Sequence, residues 1–399
     1  MGKIVTSIDP GDQTIKVVVA EERTKDGVPR ILAAVKHQSK GFHKGCVIDI
    51  EEAKDSINHC LGNAEHTIGQ RIKRVYLAID GAGLSSQLID VSTLISRADF
   101  EINEYDIKHL VETAEQKMTD LRNRNILDII PVSYKLDGKK IMGNPKGMKG
   151  SKLEAKILFI SSLSNQYDDL VGAVESAGVS VSGVLPSPIA ASLVTISRAQ
   201  KYVGCVLVDI GAEVTKIAVF EDGVIHSIHT IELGSQDISN DIALGLKISL
   251  DEAEEIKQDQ TSHMLAQKKL NEIIIARLSD IFELVDNHLK KLGKNELLPA
   301  GVVLTGGGSY ISEIEQVASQ YLNLPARIAS PLFPQNMKEE EENSKDSDRI
   351  YIKDPTFSVA YGLALFGISP PKSSSLGGGS FAGKEIFSQI NKAFKHFLP

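Results

Sequence analysis

A strand–turn–strand unit occurs twice in this sequence and limits the folds that the chain can adopt. The first copy spans residues 3–20 and turns at Asp9-Pro-Gly-Asp-Gln13, and the second spans residues 203–220 and turns at Asp209-Ile-Gly-Ala-Glu-Val214. Each turn places Asp-x-Gly directly after an apolar strand, a pattern that predicts hairpins with acidic, glycine-containing tips. Two such units far apart in one chain favour a duplicated architecture with two related halves over two unrelated hairpins.

The composition is that of a globular protein with more than one domain. Its 399 residues correspond to two or three domains, and 42% hydrophobic with 24% charged residues is ordinary for such proteins. A net charge of −8 argues against a broad basic surface, so we expect no nucleic-acid partner. Cys46, Cys60 and Cys205 are widely separated, which excludes a disulfide scaffold and a thiolate zinc site of standard spacing. No run approaches the ~20 apolar residues of a spanning helix, and we expect a reducing cytosol.

Changes in composition and periodicity divide the chain into segments. Helices are predicted over 51–66, 104–122, 166–177, about 264–292, 312–321 and 356–366, with Ser312 as an N-cap. Proline, serine and glycine dominate residues 370–383, which predicts a flexible linker. The predicted organisation is a first domain at 1–83 and 163–200, an inserted αβ subdomain at 84–162, a second domain at 201–234 and 300–369, its helical subdomain at 235–299, the linker, and an amphipathic helix at 384–399.

Three glycine-bearing turns, each after an apolar strand, predict a nucleotide site. They are Asp9-Pro-Gly11, Asp209-Ile-Gly211 and Gly306-Gly-Gly308. Glycine lets the backbone approach a ligand, so that its N–H groups can point at phosphate oxygens, and aspartates at strand ends can hold Mg²⁺ through water. Each turn alone is more often structural, but the three in this order favour two facing hairpins that clamp phosphates. No GxxxxGK[ST] motif is present, so this is not a P-loop protein.

Three longer segments carry a resemblance to a known family. Asn144-Pro-Lys-Gly-Met-Lys-Gly-Ser-Lys-Leu-Glu154 is similar to a signature of the FtsA family of bacterial cell-division proteins, Asn-Pro-x-Gly-Met-x-Gly-x-x-Leu-Glu. Gly301-Val-Val-Leu-Thr-Gly-Gly-Gly308 resembles that family's adenosine loop, and Ala253-Glu-Glu-Ile-Lys257 resembles the helix whose Glu and Lys reach ribose and adenine. The resemblance covers nearly the whole chain. It implies the α/β fold of the actin-like ATPases, with two related domains of ribonuclease-H-like topology, an αβ subdomain inserted in the first, and a C-terminal linker and amphipathic helix.

The same resemblance implies ATP and Mg²⁺ as cofactors, with Asp9 and Asp209 holding the metal through water. The nucleotide-binding residues that it implies are Asp9, Gly11, Asp12, Gln13, Thr14, Lys16, Asp209, Gly211, Thr215, Glu254, Lys257, Gly306, Gly307, Gly308 and Ser309.

The phosphate loops depart from the family pattern. Where relatives have Asp-(Ile/Leu)-Gly-Gly-Gly-Thr, this chain has Asp209-Ile-Gly-Ala-Glu-Val-Thr215, and Glu213 would repel phosphate unless it points away or meets a cation. Thr215 is the expected substitute for the missing hydroxyl. Ser187 stands where many relatives have the Glu or Gln that orients an attacking water, and serine is a poorer base. We therefore predict ATP binding and leave ATPase activity open, as weak or absent.

The C-terminal segment predicts an amphipathic helix with one apolar face, formed by Ile386, Phe387, Ile390, Phe394, Phe397 and Leu398. The segment from Lys384 has a net charge of +2 inside an acidic protein. A basic amphipathic helix after a flexible linker is typical of a peripheral anchor at an anionic membrane surface. The alternative is a last helix that docks on the protein's own core. The resemblance favours the anchor, on the cytoplasmic side of the cytoplasmic membrane at the division site.

The resemblance also implies partners. Ile274-Ile-Ala-Arg277 is similar to a family segment that receives the C-terminal peptide of FtsZ, and Arg277 could pair with acidic groups of that peptide, although an unpartnered surface arginine is the plain alternative. Self-association into filaments and other division proteins are further implied partners. The main hypothesis is an ATP-binding cell-division scaffold. The alternatives are a PilM-like protein of type IV pilus assembly and a sugar or acetate kinase of the same superfamily.

Overall fold

The computed structural model describes residues 2–22, 29–118, 123–258, 267–329, 331 and 353–368. The first domain contains a five-stranded sheet with the order β11-β6-β1-β2-β3. Its strands are β1 (Ile4–Pro10), β2 (Thr14–Glu21), β3 (Arg30–Gln38), β6 (Arg74–Ile79) and β11 (Ser180–Pro186). A short ribbon of β4 (Phe42–His43) and β5 (Cys46–Val47), and helices α1 (Ile50–Ile68) and α3 (Ser164–Ser176), complete this part of the domain.

The second domain repeats the first sheet, with the order β14-β13-β12-β15-β16. These strands are β12 (Cys205–Ile210), β13 (Thr215–Glu221), β14 (Val224–Ile231), β15 (Val302–Thr305) and β16 (Ala326–Ile328). In both sheets an antiparallel hairpin stands beside a parallel strand, β1 with β6 and β12 with β15. The repeated strand order confirms the duplication that the two Asp-x-Gly hairpins predict.

An inserted subdomain interrupts the first domain. It consists of β7 (Ser85–Leu94), α2 (Glu104–Lys117), β8 (Arg124–Leu136), β9 (Lys139–Ile141) and β10 (Lys152–Leu163), with the sheet order β7-β10-β8-β9. Asn103 and Asp106 form a capping box that begins α2. The subdomain also reaches the second domain, because the Ser86 hydroxyl donates to the Ile228 carbonyl at 2.9 Å and accepts from the Ile228 N–H at 2.7 Å.

Two helices join the domains into one core. They are α4 (Ser187–Thr195), which is followed by α5 (Arg198–Val203), and α10 (Ser358–Ile368), and their apolar side chains lie between the two sheets. A Cβ added to Gly362 would lie 1.9 Å from the Ala190 carbonyl oxygen, so glycine is what allows the two helices to approach so closely. Residues from both domains, including Val18 and Ala218, belong to the same buried cluster.

The helical subdomain of the second domain contains α6 (Ser235–Leu246), α7 (Leu250–Gln258) and α8 (Gln267–Lys291), and α9 (Ile314–Leu322) packs beside α8. The prediction that Ser312 caps a helix is wrong. Helix α9 begins at Ile314, and the residue before it, Glu313, adopts a left-handed conformation with φ 63° and makes no side-chain cap. The predicted end of α2 near residue 122 is wrong, because the helix ends at Lys117 and Met118 is already extended. The predicted linker and terminal amphipathic helix lie outside the described residues.

Candidate functional site

The two hairpin turns have the same hydrogen-bonding pattern. Asp9 pairs across its hairpin with Lys16, and Asp209 pairs in the same way with Lys216. In each turn a glycine N–H closes the loop, Gly11 onto the Thr14 carbonyl at 3.2 Å and Gly211 onto the Val214 carbonyl at 2.9 Å. Each domain thus presents an Asp–Lys pair at its own tight, glycine-bearing turn.

The two lysines make different contacts. Lys16 stays within its own hairpin, with Nζ 3.8 Å from Asp9 Oδ2. Lys216 is buried, and its Nζ lies 3.1 Å from Asp209 Oδ2 and 3.0 Å from Asp80 Oδ2 of the first domain. Burial opposes the charge of Lys216, but the carboxylates of Asp209, Asp80 and Asp9 outweigh it and raise the pKa of Lys216 well above its ordinary value. Its ammonium group is therefore a permanent positive charge in the region between Asp9, Asp80 and Asp209, where the two domains meet and which we name the cleft.

Asp80 is a site residue that the sequence reasoning missed. It follows β6 directly and is itself followed by Gly81, which has a φ of 95°. An apolar strand followed by Asp-Gly is similar to the Asp-x-Gly pattern of the two hairpin turns, although it lacks the intervening residue, so the sequence did contain a clue. Thr305, the last residue of the equivalent strand β15, and Gly306 take the corresponding place in the second domain.

The carboxyl groups of the first loop are desolvated. Burial raises the pKa of Asp9 to about 6, against the opposing charges of Lys16 and Lys216. Burial together with the charge of Asp80 raises the pKa of Asp12 to about 6, although the Gly45 N–H donates to its Oδ1 at 2.6 Å. A cation beside Asp9 would offset the cost of this desolvation, so the Asp9 carboxyl group fits the predicted water-mediated Mg²⁺.

Glu213, the side chain expected to repel phosphate, is turned toward the first domain. Its Oε2 accepts the Lys44 backbone N–H at 2.7 Å and lies 2.7 Å from His43 Nδ1. The carboxylate thus meets a backbone donor and the His43 ring in the first domain, and that ring is a cation only when it is protonated.

The glycine loop after β15 packs on the second hairpin. Gly306 has a φ of 84°, and a Cβ there would lie 2.3 Å from Asp209 Oδ1. A Cβ on Gly308 would lie 2.4 Å from Ile210 Cγ2. Residues 307–310 form a short 3₁₀ helix rather than the start of a longer helix, and the Ser309 hydroxyl donates to the Gly306 carbonyl at 2.6 Å. The structure therefore brings two of the three predicted glycine turns into direct contact.

Other predicted nucleotide residues have identifiable places. The backbone of Gln13 and Thr14 shapes the first turn, with the Gln13 carbonyl accepting from the Ser39 N–H at 3.0 Å. Thr215 is fully buried and donates its hydroxyl to the Leu233 carbonyl at 2.8 Å, so that hydroxyl is engaged within its own domain. The Ser187 hydroxyl, at the start of α4, is buried and has no hydrogen-bond partner among the described residues.

Glu254 and Lys257 form a polar cluster with the beginning of α6. Lys257 Nζ lies 2.7 Å from Glu254 Oε2 and donates to the Ser239 hydroxyl at 2.8 Å and the Ser235 carbonyl at 3.0 Å. The Ser235 N–H in turn donates to the Gly211 carbonyl at 2.9 Å. The helix predicted to contact the adenosine is thus linked through α6 to the second hairpin turn.

Arg277 is engaged within the helical subdomain. Its guanidinium group makes two hydrogen bonds to Asp241, at 2.6 and 3.1 Å, and lies 3.3 Å from Asp280. The hydrogen bond to Asp241 raises the pKa of Arg277 further, against a smaller effect of burial. An acidic peptide would have to compete with Asp241 for this arginine.

Two kinds of feature are absent from the described part of the chain. No group of three or more His, Cys, Asp or Glu side chains is placed to form a metal cage there. None of the helices in those same ranges is long and apolar enough to cross a membrane.

Comparison with solved structures defines the class of protein. The PilM–PilN type IV pilus biogenesis complex has a chain that matches with a TM-score of 0.67 and 17% identity, covering 92% of this chain and 99% of that one. The ethanolamine utilization protein EutJ from Carboxydothermus hydrogenoformans matches with a TM-score of 0.54 and 17% identity, covering 92% and 91%. Together with the duplicated sheets and facing hairpins, these likenesses define an actin-like α/β protein.

Sequence comparison identifies the family within that class. A family model described as "Cell division protein FtsA" matches residues 206–362, and one described as "SHS2 domain inserted in FTSA" matches residues 81–161. The FtsA proteins of Pseudomonas aeruginosa and Bacillus subtilis are 26% and 29% identical to this chain, covering 100% and 91% of it and 98% and 83% of their own lengths. The chain belongs to the FtsA family of cell-division proteins.

Proposed function

We propose that this chain is an ATP-binding scaffold of cell division that tethers FtsZ-type polymers to the inner face of the cytoplasmic membrane. The observation that carries the nucleotide part is the meeting of two equivalent Asp–Lys hairpins, at Asp9–Lys16 and Asp209–Lys216, with Lys216 reaching Asp80 across the cleft. Family membership supports the cell-division part.

The residues present fit a nucleotide with its metal. Asp209 Oδ2 is buried and accepts no aligned hydrogen bond among the described residues, although Lys216 stands 3.1 Å away. The glycine turns supply backbone N–H groups for phosphates. Asp9 and Asp209 would hold Mg²⁺ through water, and the metal would supply charge neutralisation for the phosphates. Ser187 takes the position that the family resemblance gives to the residue orienting the attacking water, and its weak basicity supports slow hydrolysis or none.

Membrane and partner binding would be carried by two regions far apart in the chain. The apolar face from Ile386 to Leu398 would lie in an anionic membrane surface. Arg277 would bind the acidic FtsZ peptide by exchanging its contact with Asp241, so affinity would depend on how readily that ion pair opens. Filament formation and contacts with other division proteins belong to the same proposal. The likeness to PilM is one of fold, and the sequence relatives favour the division scaffold over the pilus role.

Liposome co-sedimentation and nucleotide titration test the two halves of the proposal. The full chain and a truncation ending at Ala382 should be compared on vesicles containing anionic phospholipid. We expect the full chain to pellet and the truncation to stay in solution. Titration with a fluorescent ATP analogue should show saturable binding for both proteins, because the cleft is present in each. If both proteins stay soluble with vesicles, the anchor is excluded. If neither binds ATP, the nucleotide part is excluded.

A further inference from the structure

Glu213 belongs to the second phosphate loop but makes its contacts in the other domain. Its Oε2 accepts the Lys44 N–H at 2.7 Å and lies 2.7 Å from His43 Nδ1. His43 is the last residue of β4, and Lys44 follows it in the tight turn that joins β4 to β5. The Glu213 side chain is 28% exposed and that of His43 is 56% exposed, so this contact lies at the solvent-facing edge of the cleft.

The turn at residues 43–45 is tied down from both sides. Within the first domain, the Gly45 N–H donates to Asp12 Oδ1 at 2.6 Å. On the second-domain side, Lys44 Nζ lies 2.9 Å from Glu232 Oε2. Phosphate-loop carboxyl groups of both domains, Asp12 and Glu213, therefore hold one and the same turn.

The turn is also packed against the base of the cleft. Gly45 has a φ of 73°, and a Cβ there would lie 2.4 Å from Gly81 Cα and 2.6 Å from Asp80 Oδ1. Asp80 is the residue that pairs with Lys216 of the second domain. Movement of the turn would therefore disturb the buried ion pair, which couples the edge of the cleft to its base.

We propose that Glu213 gates nucleotide exchange by clasping this turn across the mouth of the cleft. The inference rests on the proposed nucleotide site, and it assigns control of that site to a residue that departs from the family pattern. A nucleotide whose phosphates lie between the two hairpin loops enters and leaves past the clasped turn. Opening the clasp breaks the contacts of Glu213 with His43 and Lys44, and the protein makes them again on closing.

Replacing Glu213 by alanine should speed nucleotide entry and exit together. We expect association and dissociation rates to rise by about tenfold each, equivalent to ~1.4 kcal/mol off both barriers. Glu213→Gln keeps an acceptor for the Lys44 N–H but loses the charge, and it should show a smaller rise. Simple relief of phosphate repulsion predicts a different pattern, faster association with slower dissociation, and that pattern would overturn the gate.

The measurement is stopped-flow binding of a fluorescent ATP analogue to the full chain with Mg²⁺, followed by displacement with unlabelled ATP. His43→Ala removes the partner from the first domain without changing the phosphate loop. The double variant with Glu213→Ala should have association and dissociation rates close to those of Glu213→Ala alone, because both substitutions remove the same contact between Glu213 and His43. Glu272→Ala, an exposed residue of α8, is the matched control for the charge change and should leave both rates unchanged.

Hydrogen–deuterium exchange without nucleotide separates this inference from the proposed function. The Lys44 amide should exchange faster in Glu213→Ala than in the wild type or Glu272→Ala. Equal protection of that amide in all three proteins would overturn the clasp. If Glu213→Ala binds and releases the ATP analogue at the same rates as the wild type, the gate is overturned and the proposed function stands. Absence of ATP binding in the wild type would overturn the gate together with the proposed function.

Discussion

Lys216 of the second domain and Asp80 of the first form a buried ion pair, with 3.0 Å between Nζ and Oδ2. The same ammonium group lies 3.1 Å from Asp209, so one lysine neutralises carboxylates from both halves of the molecule. The two domains are therefore held together by charge at the base of the cleft as well as by the apolar core around α4 and α10.

Removing the Lys216 charge should be strongly destabilising. Lys216→Met leaves Asp9, Asp80 and Asp209 close together without the ammonium, and loss of one partner of a buried pair costs about 3–5 kcal/mol. Denaturant unfolding of the full chain measures the change. Lys16→Met is the matched control and should cost less, because Lys16 stands 3.8 Å from one carboxylate. Lys216→Met combined with Asp80→Asn should recover part of the loss, and equal costs for the two lysines would contradict this assignment.

The crossing of α4 and α10 makes a prediction about glycine. Gly362→Ala places a methyl group 1.9 Å from the Ala190 carbonyl oxygen, and we expect a loss of about 1–3 kcal/mol from overpacking. The control is Gly172→Ala in α3, where an added Cβ meets nothing within 4 Å. There the higher helix propensity of alanine should raise stability by up to about 1 kcal/mol. Chemical denaturation of both variants measures the free energy of unfolding. An unchanged free energy of unfolding for Gly362→Ala would contradict the close approach of α4 and α10.

Two stacked imidazoles make stability depend on pH. His229 and His288 stack with centroids 4.5 Å apart, and the Ser227 hydroxyl lies 2.9 Å from His288 Nε2. Burial, together with the charges of His229 and Lys291, lowers the pKa of His288 to about 4. Because the unfolded chain takes up this proton near its ordinary pKa of 6.5 and the folded chain does not, this contribution to stability is lost as pH falls from about 6.5 toward 4.

The experiment compares the thermal stability of the wild type and His288→Asn between pH 7 and pH 4.5. The comparison is needed because the raised pKa values of Asp9 and Asp12, each about 6, act in the opposite direction over the same range. The wild type should lose about 1–2 kcal/mol more than the variant on acidification, a figure reduced for the partial exposure of the ring. If the stabilities of the wild type and His288→Asn change in parallel with pH, protonation of His288 does not destabilise the folded protein and the prediction is wrong.

Lys257 should contribute to nucleotide affinity. Its ammonium group is held by Glu254, Ser239 and Ser235 beside the second hairpin, and it matches the lysine of the family's adenosine helix. We expect Lys257→Ala to weaken binding of a fluorescent ATP analogue by about tenfold, within the range of a charge-assisted hydrogen bond. Lys268→Ala, at an exposed position of α8, is the control. Unchanged affinity would remove Lys257 from the site.

The terminal segment should bind membranes through one face. Phe394→Glu introduces a charge on the predicted apolar face and should release the full chain from anionic vesicles. Ser388→Glu introduces the same charge on the opposite face of the predicted helix and should have a smaller effect. Equal release by both variants in co-sedimentation would point to electrostatic attraction alone.

The local units of this fold could be predicted from the amino-acid sequence alone. Alternation and Asp-x-Gly turns predicted the hairpins at Asp9 and Asp209, and the structure forms both with the same cross-strand register. These features depend on neighbours a few positions apart, so local patterns are sufficient to predict them. The Asn144–Glu154 signature similarly indicated the inserted subdomain and the family.

The pairing of distant charged residues depends on how the two domains pack. Lys216 and Asp80 are 136 positions apart, and Lys44 and Glu213 are 169 apart. No periodicity connects such residues, because the contact exists only after the two sheets have packed around α4 and α10. For the same reason, the sequence did not predict where the Glu213 side chain points, and it did not identify Asp80 as a site residue. Packing of the domains turned an acidic side chain in a phosphate loop toward the opposite domain.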